Sequence, residues 1–203
     1  EQLGRGFPQL VFHSLLLAAL TSILALGLAL LLAYGRRLRG TTAVRAAVGT
    51  AGLGYAIPGT VIAVGVILPF AWLDNTIDAW ARAHLGVSTG LILSGTLVAL
   101  VFAYLVRFLA VSLQTVESGL AKIAISLDET ARSLGANPTR TLRTVHMPIM
   151  RGSLLTAVLL VFVDVMKELP ATLILRPFDF NTLAVRAFEL ASDEQLAAAA
   201  PSA

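Results

Sequence analysis

Apolar residues fall in long, nearly unbroken runs, neither alternating like a half-buried strand nor forming the single stripe of a surface helix. A helix that crosses the hydrocarbon core of a bilayer needs about 20 mostly apolar residues. Residues 10–34 make the first such run, interrupted only by His13, Ser14, Thr21 and Ser22. The second, 46–70, is uncharged and rich in Gly; the third, 91–111, carries Arg107 near its end. A fourth begins near 153 and is interrupted by Asp164, Lys167, Glu168 and Pro170. It is expected to leave the membrane near Glu168, giving a span of 153–168, and a further span is expected to start near 196. The pattern predicts an all-α, polytopic transmembrane helix bundle.

Composition sharpens this reading. Hydrophobic residues make up 57% of the 203 residues, charged residues 13%, and the mean hydropathy is +0.82. A soluble protein of this size could not bury so much apolar surface and still clothe itself in charge, so the composition weighs strongly against a soluble enzyme or nucleic-acid binder. There is no Cys, which removes disulfides, thiolate metal sites and Cys nucleophiles. The chain opens without Met and closes on an apolar stretch, and is read as a piece of a larger membrane protein.

Lys and Arg collect on the cytoplasmic side of membrane proteins. Arg36, Arg37, Arg39 and Arg45 follow the first span with no acid among them, and Lys122, Arg132, Arg140, Arg143 and Arg151 follow the third. The other connections are poor in bases or acidic: Arg82 with Asp74 and Asp78, then Arg176 and Arg186 against Asp179, Glu189, Asp193 and Glu194. This alternation predicts an outside N-terminus, inside loops 35–45 and 112–152, and outside loops 71–90 and 169–194. Arg107 is then expected near the cytoplasmic face, its side chain snorkelling outward. Pro58-Gly59 is expected to kink or break the second span, either as ordinary helix packing or as a hinge lining a pathway.

Loop 112–152 is too long for a plain connection. Ser126-Leu127-Asp128-Glu129 has the capping-box pattern. Leu127, Ala131 and Leu134 make one apolar face. Gly135 sits where a helix ends in the left-handed conformation. Asn137 and Pro138 suit the cap and first residue of a second helix, with a stripe at Leu142, Val145 and Ile149, after which Pro148 turns the chain back. So short a pair is marginal alone and needs a surface, be it the membrane, its own bundle or a cytoplasmic partner.

Glu129-Thr130-Ala131, three residues, Gly135, nine residues and Val145-His146-Met147-Pro148 is similar to the E-A-A-x3-G-x9-I-x-L-P signature of ABC importer permeases. The departures are Thr130, Val145 and Met147; the spacing is intact. The stretches Ala103–Ala110, Lys167–Phe178 with Thr182-Leu183-Ala184, and Pro58-Gly59-Thr60 resemble the iron(III)-type subgroup, and the chain resembles one half of its two-half permeases. The resemblance implies a type I importer permease of the bacterial inner membrane. Its coupling helix would dock on separate cytoplasmic ATPase subunits, and a periplasmic or lipoprotein binding protein would deliver cargo. ATP and Mg would bind the ATPase, with no cofactor, metal or nucleic acid on this chain and no enzymatic activity of its own. Glu129, Ala131, Gly135, Val145, Met147 and Pro148 carry over as interface residues.

Asp164, Lys167 and Glu168 share a helix face by spacing. With Pro58 and Gly59 they are candidates for the translocation pathway; the bland alternative is an Asp164–Lys167 or Lys167–Glu168 pair ending the span. Segment 176–194, with Phe178 and Phe180, is either a solvated loop or a binding-protein contact. No phosphate loop is present, and His13, His84 and His146 are expected in three separate regions. The cargo implied is ferric iron, with thiamine, sulfate, phosphonate or polyamine as same-family alternatives. An ion-driven secondary transporter is the more distant rival.

Overall fold

The computed structural model describes residues 2–193, so the span expected near 196 lies outside the described residues. Among the described residues every regular element is helical. The order is α1 (Gln2–Leu38), α2 (Thr42–Leu53), a short 3-10 turn at Gly54–Ala56, α3 (Gly59–Leu85), α4 (Leu97–Ala121) and α5 (Ile125–Ser133). There follow α6 (Pro138–Thr141), a π-turn at Leu142–His146, α7 (Met147–Ile149), α8 (Arg151–Met166), α9 (Pro170–Leu175) and α10 (Leu183–Ser192). Among the described residues three stretches are long and apolar enough to cross a membrane: Gly6–Leu38, Gly59–Leu85 and Leu97–Ala121. A fourth qualifies if Pro138–Ile149 and Arg151–Met166, bent by 81° to each other, form one broken span. Leu31, Leu68 and Trp72 are among many large apolar side chains left exposed on these helices. Helices apolar on every side suit lipid rather than water.

Several helix limits differ from the expected spans. The run 46–70 is divided, because Pro58 cannot continue a helix with the preceding residue in α conformation. It caps α3 in an extended conformation (ψ 139°), and the spanning helix is 59–85 rather than 46–70. The expected loop 71–90 is therefore helical up to Leu85, where Gly86 closes α3 in the left-handed region. Asp74 and Asp78, one turn apart on α3, organise the connection to α4. Asp74, buried, accepts the N–H groups of Ile92, Leu93 and Ser94 and the Ser94 hydroxyl. Asp78 accepts the N–H of Thr89 and Gly90 and the Ser88 hydroxyl. These carboxylates fold the connection back along α3, so they are structural acceptors. Helix α4 runs to Ala121, past the expected limit at 111.

The chain divides into two compact units, one from the described parts of 1–21, 57–107 and 164–203, the other from 22–56 and 108–163. In the first, α3 packs on α9. There Ser14 accepts the Leu183 N–H at 2.8 Å, and His13 stacks on Phe180 at 4.3 Å. Segment 176–193 is thus no plain solvated loop, since α10 is capped by Thr182 and buries Val185 and Leu190. Of its three aromatics Phe180 is buried, Phe188 is about half exposed and Phe178 is fully exposed. The second unit is centred on Ala29, Ala33, Val48, Leu113, Val116, Leu120, Met150 and Ala157. In lipid there is no hydrophobic drive between helices, so small residues that allow close approach matter most. Gly119 shows it: a Cβ there would lie 2.8 Å from Ser153 Cβ and 3.1 Å from Met150 Cε.

Candidate functional site

Loop residues 123–150 form a built structure. Helix α5 starts at Ile125, one residue before Ser126, so Ser126 lies within the first turn and the capping box does not form. The N-cap position belongs to Ala124, which makes no side-chain bond. The end of α5 matches its sequence signal. Gly135 has φ +78°, its N–H reaches the Arg132 carbonyl, and the Ala136 N–H reaches Ala131. That pair of bonds is the Schellman arrangement, closed by the one residue type with no Cβ penalty at positive φ. Two residues on, Asn137 Oδ1 accepts the Arg140 N–H at 2.8 Å and Pro138 opens α6. The π-turn before Pro148 accommodates a residue that cannot donate, with the Met147 N–H bonding five residues back to Leu142. The reversal comes at Met150 rather than at Pro148 itself.

Of the six residues expected at an interface, Glu129, Gly135 and Pro148 are exposed, Val145 and Met147 are half-buried, and Ala131 is buried. The apolar face is split in the same way. Ala131 turns inward, while Leu127, Leu134 (82% exposed) and Ile149 are open.

A polar cluster beneath the loop is not legible in the sequence. Arg37, in the last turn of α1, donates to the carbonyls of Leu120 (2.6 Å) and Ile123 (2.8 Å) and to Asp128 Oδ2 (2.8 Å). One guanidinium thereby caps the end of α4 and ties down the start of α5. Asp128 Oδ1 lies 2.8 Å from His146 Nε2, and the fully buried His146 ring meets Tyr34 edge-on at 5.3 Å. The Tyr34 hydroxyl donates to the Pro138 carbonyl at 2.9 Å. Burial pushes the His146 imidazole below its ordinary value, as does Arg37, against the opposing pull of the Asp128 carboxylate. Arg37 and Asp128 are separated by 91 positions, and local sequence carries no signal of their pairing. In sequence Arg37 reads only as one of a run of cytoplasmic bases, and Asp128 as part of a cap.

The second group of candidates is also rearranged. Lys167 is 66% exposed and pairs with Asp164 at 3.3 Å, whereas Glu168 is 6% exposed and turns away from both. Helix α8 ends at Met166, so the three charges do not share one helix face. Glu168 Oε2 lies 3.2 Å from Arg107 Nε. The sequence reading puts Arg107 and Glu168 at opposite faces of a core about 30 Å thick, which this contact excludes. The expectation of a snorkelling Arg107 fails because α4 continues well beyond 111. Arg107 lies about 15 Å from its first residue and about 21 Å from its last at 1.5 Å per residue. Glu168 Oε1 also accepts the Ala171 N–H, and a Cβ on Gly59 would stand 2.5 Å from that oxygen. Gly59 and Glu168 are thus brought together. Among the described residues no group of three His, Asp or Glu side chains is arranged to hold a metal.

No protein-family model matches the chain. Among curated proteins, the Fe(3+)-transport system permease protein FbpB 2 of Haemophilus influenzae is 31% identical over 149 residues, 73% of this chain and 26% of that protein. A protein of Salmonella typhimurium named for 2-aminoethylphosphonate transport, the permease PhnV, is 35% identical over 98 residues, 48% of this chain and 37% of its own length. A second Haemophilus influenzae protein named for ferric transport, FbpB 1, is 27% identical over 121 residues, 60% of this chain and 17% of its own. The chain therefore spans between about a sixth and just over a third of these relatives. The homologues of this chain are permease components of ABC importers, of the iron-type subgroup.

Proposed function

We propose that this chain is part of the transmembrane permease of an ATP-driven ABC importer, with ferric iron as its cargo. In this reading it is a multi-pass protein of the bacterial inner membrane with its N-terminal end outside. Loop 112–152 lies in the cytoplasm and docks on a separate ATPase that holds ATP and Mg, and a binding protein delivers cargo from the outer side. The chain transports and does not itself catalyse. The observation that carries the reading is the loop: helix α5, the left-handed turn at Gly135 and the Asn137-capped helix coincide with the spacing of the permease signature. The open side chains of Leu127, Leu134 and Ile149 are the apolar contacts such a docking element needs. The Arg37 clamp makes the loop stiff enough to pass on a rigid-body displacement. Pro58, Gly59, Asp164, Lys167 and Glu168 are proposed to border the pathway. A phosphonate is the second cargo reading, supported by the likeness to PhnV.

The test is co-purification of the ATPase with the complete permease, wild type and Gly135→Pro, together with radioactive ferric iron uptake. The proline cannot take positive φ, so the variant is expected to lose ATPase recovery and uptake together. Equal recovery and equal uptake in both proteins would refute the docking assignment.

A further inference from the structure

Three stretches far apart in sequence meet within one compact unit: Pro58-Gly59 at the start of α3, Tyr104 and Arg107 on α4, and residues 168–172 leading into α9. Two helix interruptions are satisfied there by side chains of α4. At the first, the N–H groups of Val61 and Ile62 both turn to the Pro58 carbonyl, and Arg107 Nη1 donates to the carbonyl of Ile57 at 3.2 Å. At the second, the Thr172 hydroxyl donates to the Glu168 carbonyl and receives a hydrogen bond from the Tyr104 hydroxyl, each 2.5 Å long. Tyr104 and Thr172 are completely buried. The Glu168 carboxylate lies against the first residues of α3 and on the Ala171 N–H, at helix N-termini that favour negative charge. The Arg107 guanidinium lies on a carbonyl, where positive charge is favoured. Each charge therefore meets a backbone group as well as its partner.

Ionisable groups in the middle of a span are expensive and usually functional. A buried ion pair is often no more stabilising than apolar residues of the same shape; its best-attested use is to select one register or switch position. Gly59 lets the pair close over the start of α3, since a Cβ there would lie 2.5 Å from Glu168 Oε1 and 2.8 Å from Arg107 Nη1 and push the two charged groups aside. Arg107 bridges the two breaks, so parting α3 from the start of α9 costs it either the Ile57 carbonyl or the Glu168 carboxylate. We propose that Arg107 is a positioning residue of the translocation pathway, and that the Arg107–Glu168 pair is a latch holding the starts of α3 and α9 together, which opens when the pathway changes its accessible side. This rests on the permease reading above and names the element of that pathway that moves.

The complete permease, reconstituted with its ATPase and binding protein, is compared as wild type, Arg107→Gln, Glu168→Gln, the double variant and Arg107→Lys. If the pair is a latch, the double variant hydrolyses ATP without needing iron-loaded binding protein, so stimulation falls by about fivefold or more. Iron uptake falls about tenfold or more while the amount of inserted protein holds, and Arg107→Lys retains part of both. A double variant with wild-type stimulation and uptake overturns the latch. So does one in which uptake, stimulation and inserted protein all decline in proportion, the mark of a purely structural pair. A second arm needs no ATPase. Thr60, exposed beside the pair, is replaced as Thr60→Cys in an otherwise cysteine-free full-length protein and probed with a membrane-impermeant thiol reagent. Reaction from one side in the otherwise native protein and from the opposite or both sides in the double-glutamine background supports the latch; an unchanged side and rate overturns it. If the thiol contrast between the two backgrounds is seen but the wild-type complex shows no ATP-driven uptake, the importer reading falls and the latch stands.

Discussion

Arg37 shows how much one side chain decides. Its planar fork reaches two carbonyls at the end of α4 and the Asp128 carboxylate at once. Removing it leaves a largely buried carboxylate and two helix-end carbonyls without their donor. Arg37→Met is expected to destabilise the loop by about 3 kcal/mol or more, seen as faster amide hydrogen exchange across 123–149 and a matching loss of uptake. Arg37→Lys recovers part of this, because an ammonium cannot reproduce the fork. His146 adds a pH dependence. Its imidazole is held neutral by burial, so the unfolded loop takes up a proton at a higher pH than the folded one. The stability gained is present above the ordinary value of 6.5 and is lost as pH falls below it. Hydrogen exchange of 125–149, corrected for its intrinsic pH dependence, is expected to accelerate between pH values of about 7 and about 5.5. His146→Gln should flatten that dependence.

At the scale of elements, small residues and helix breaks set which helices approach. Gly119 on α4 leaves room for Ser153 and Met150 near the start of α8, and a Cβ there would be closer than real contacts allow. Gly119→Val is expected to destabilise the unit formed by 22–56 and 108–163 by about 2 kcal/mol, read as earlier thermal aggregation in detergent, with Gly119→Ala intermediate. The helix ends illustrate what local chemistry can and cannot announce. Gly135 and the Asn137-Pro138 start are legible because φ preference and side-chain capping act within a few residues. The Ser126 cap is misread because Arg37 holds the Ile123 carbonyl just beyond the end of α4, and the next helix begins at Ile125, two residues earlier than the local motif asks.

At the scale of the whole molecule, the alternation of basic connections predicts a topology open to direct measurement. Single cysteines in 39–41 and in 134–137 are expected to label from the same side of the membrane, and one in 87–90 from the opposite side. Labelling of all three from one side would refute the proposed orientation. The long apolar helices are expected to partition with the bilayer after alkaline washing, as integral spans do and peripheral helices do not.

Hydrophobic runs, glycine and proline positions and the signature spacing are properties of neighbouring residues, so the sequence by itself determined the all-helical membrane character, the break at Pro58, the turn at Gly135 and the family resemblance. Charge pairing across the fold is different in kind. Whether Glu168 meets Lys167 or Arg107, and whether Arg37 is one more inside base or the clamp of the loop, depends on which helix ends lie within about 3 Å of each other. Local periodicity does not encode that distance; only the folded chain, placing carbonyls and N–H groups of broken helices beside those charges, decides it.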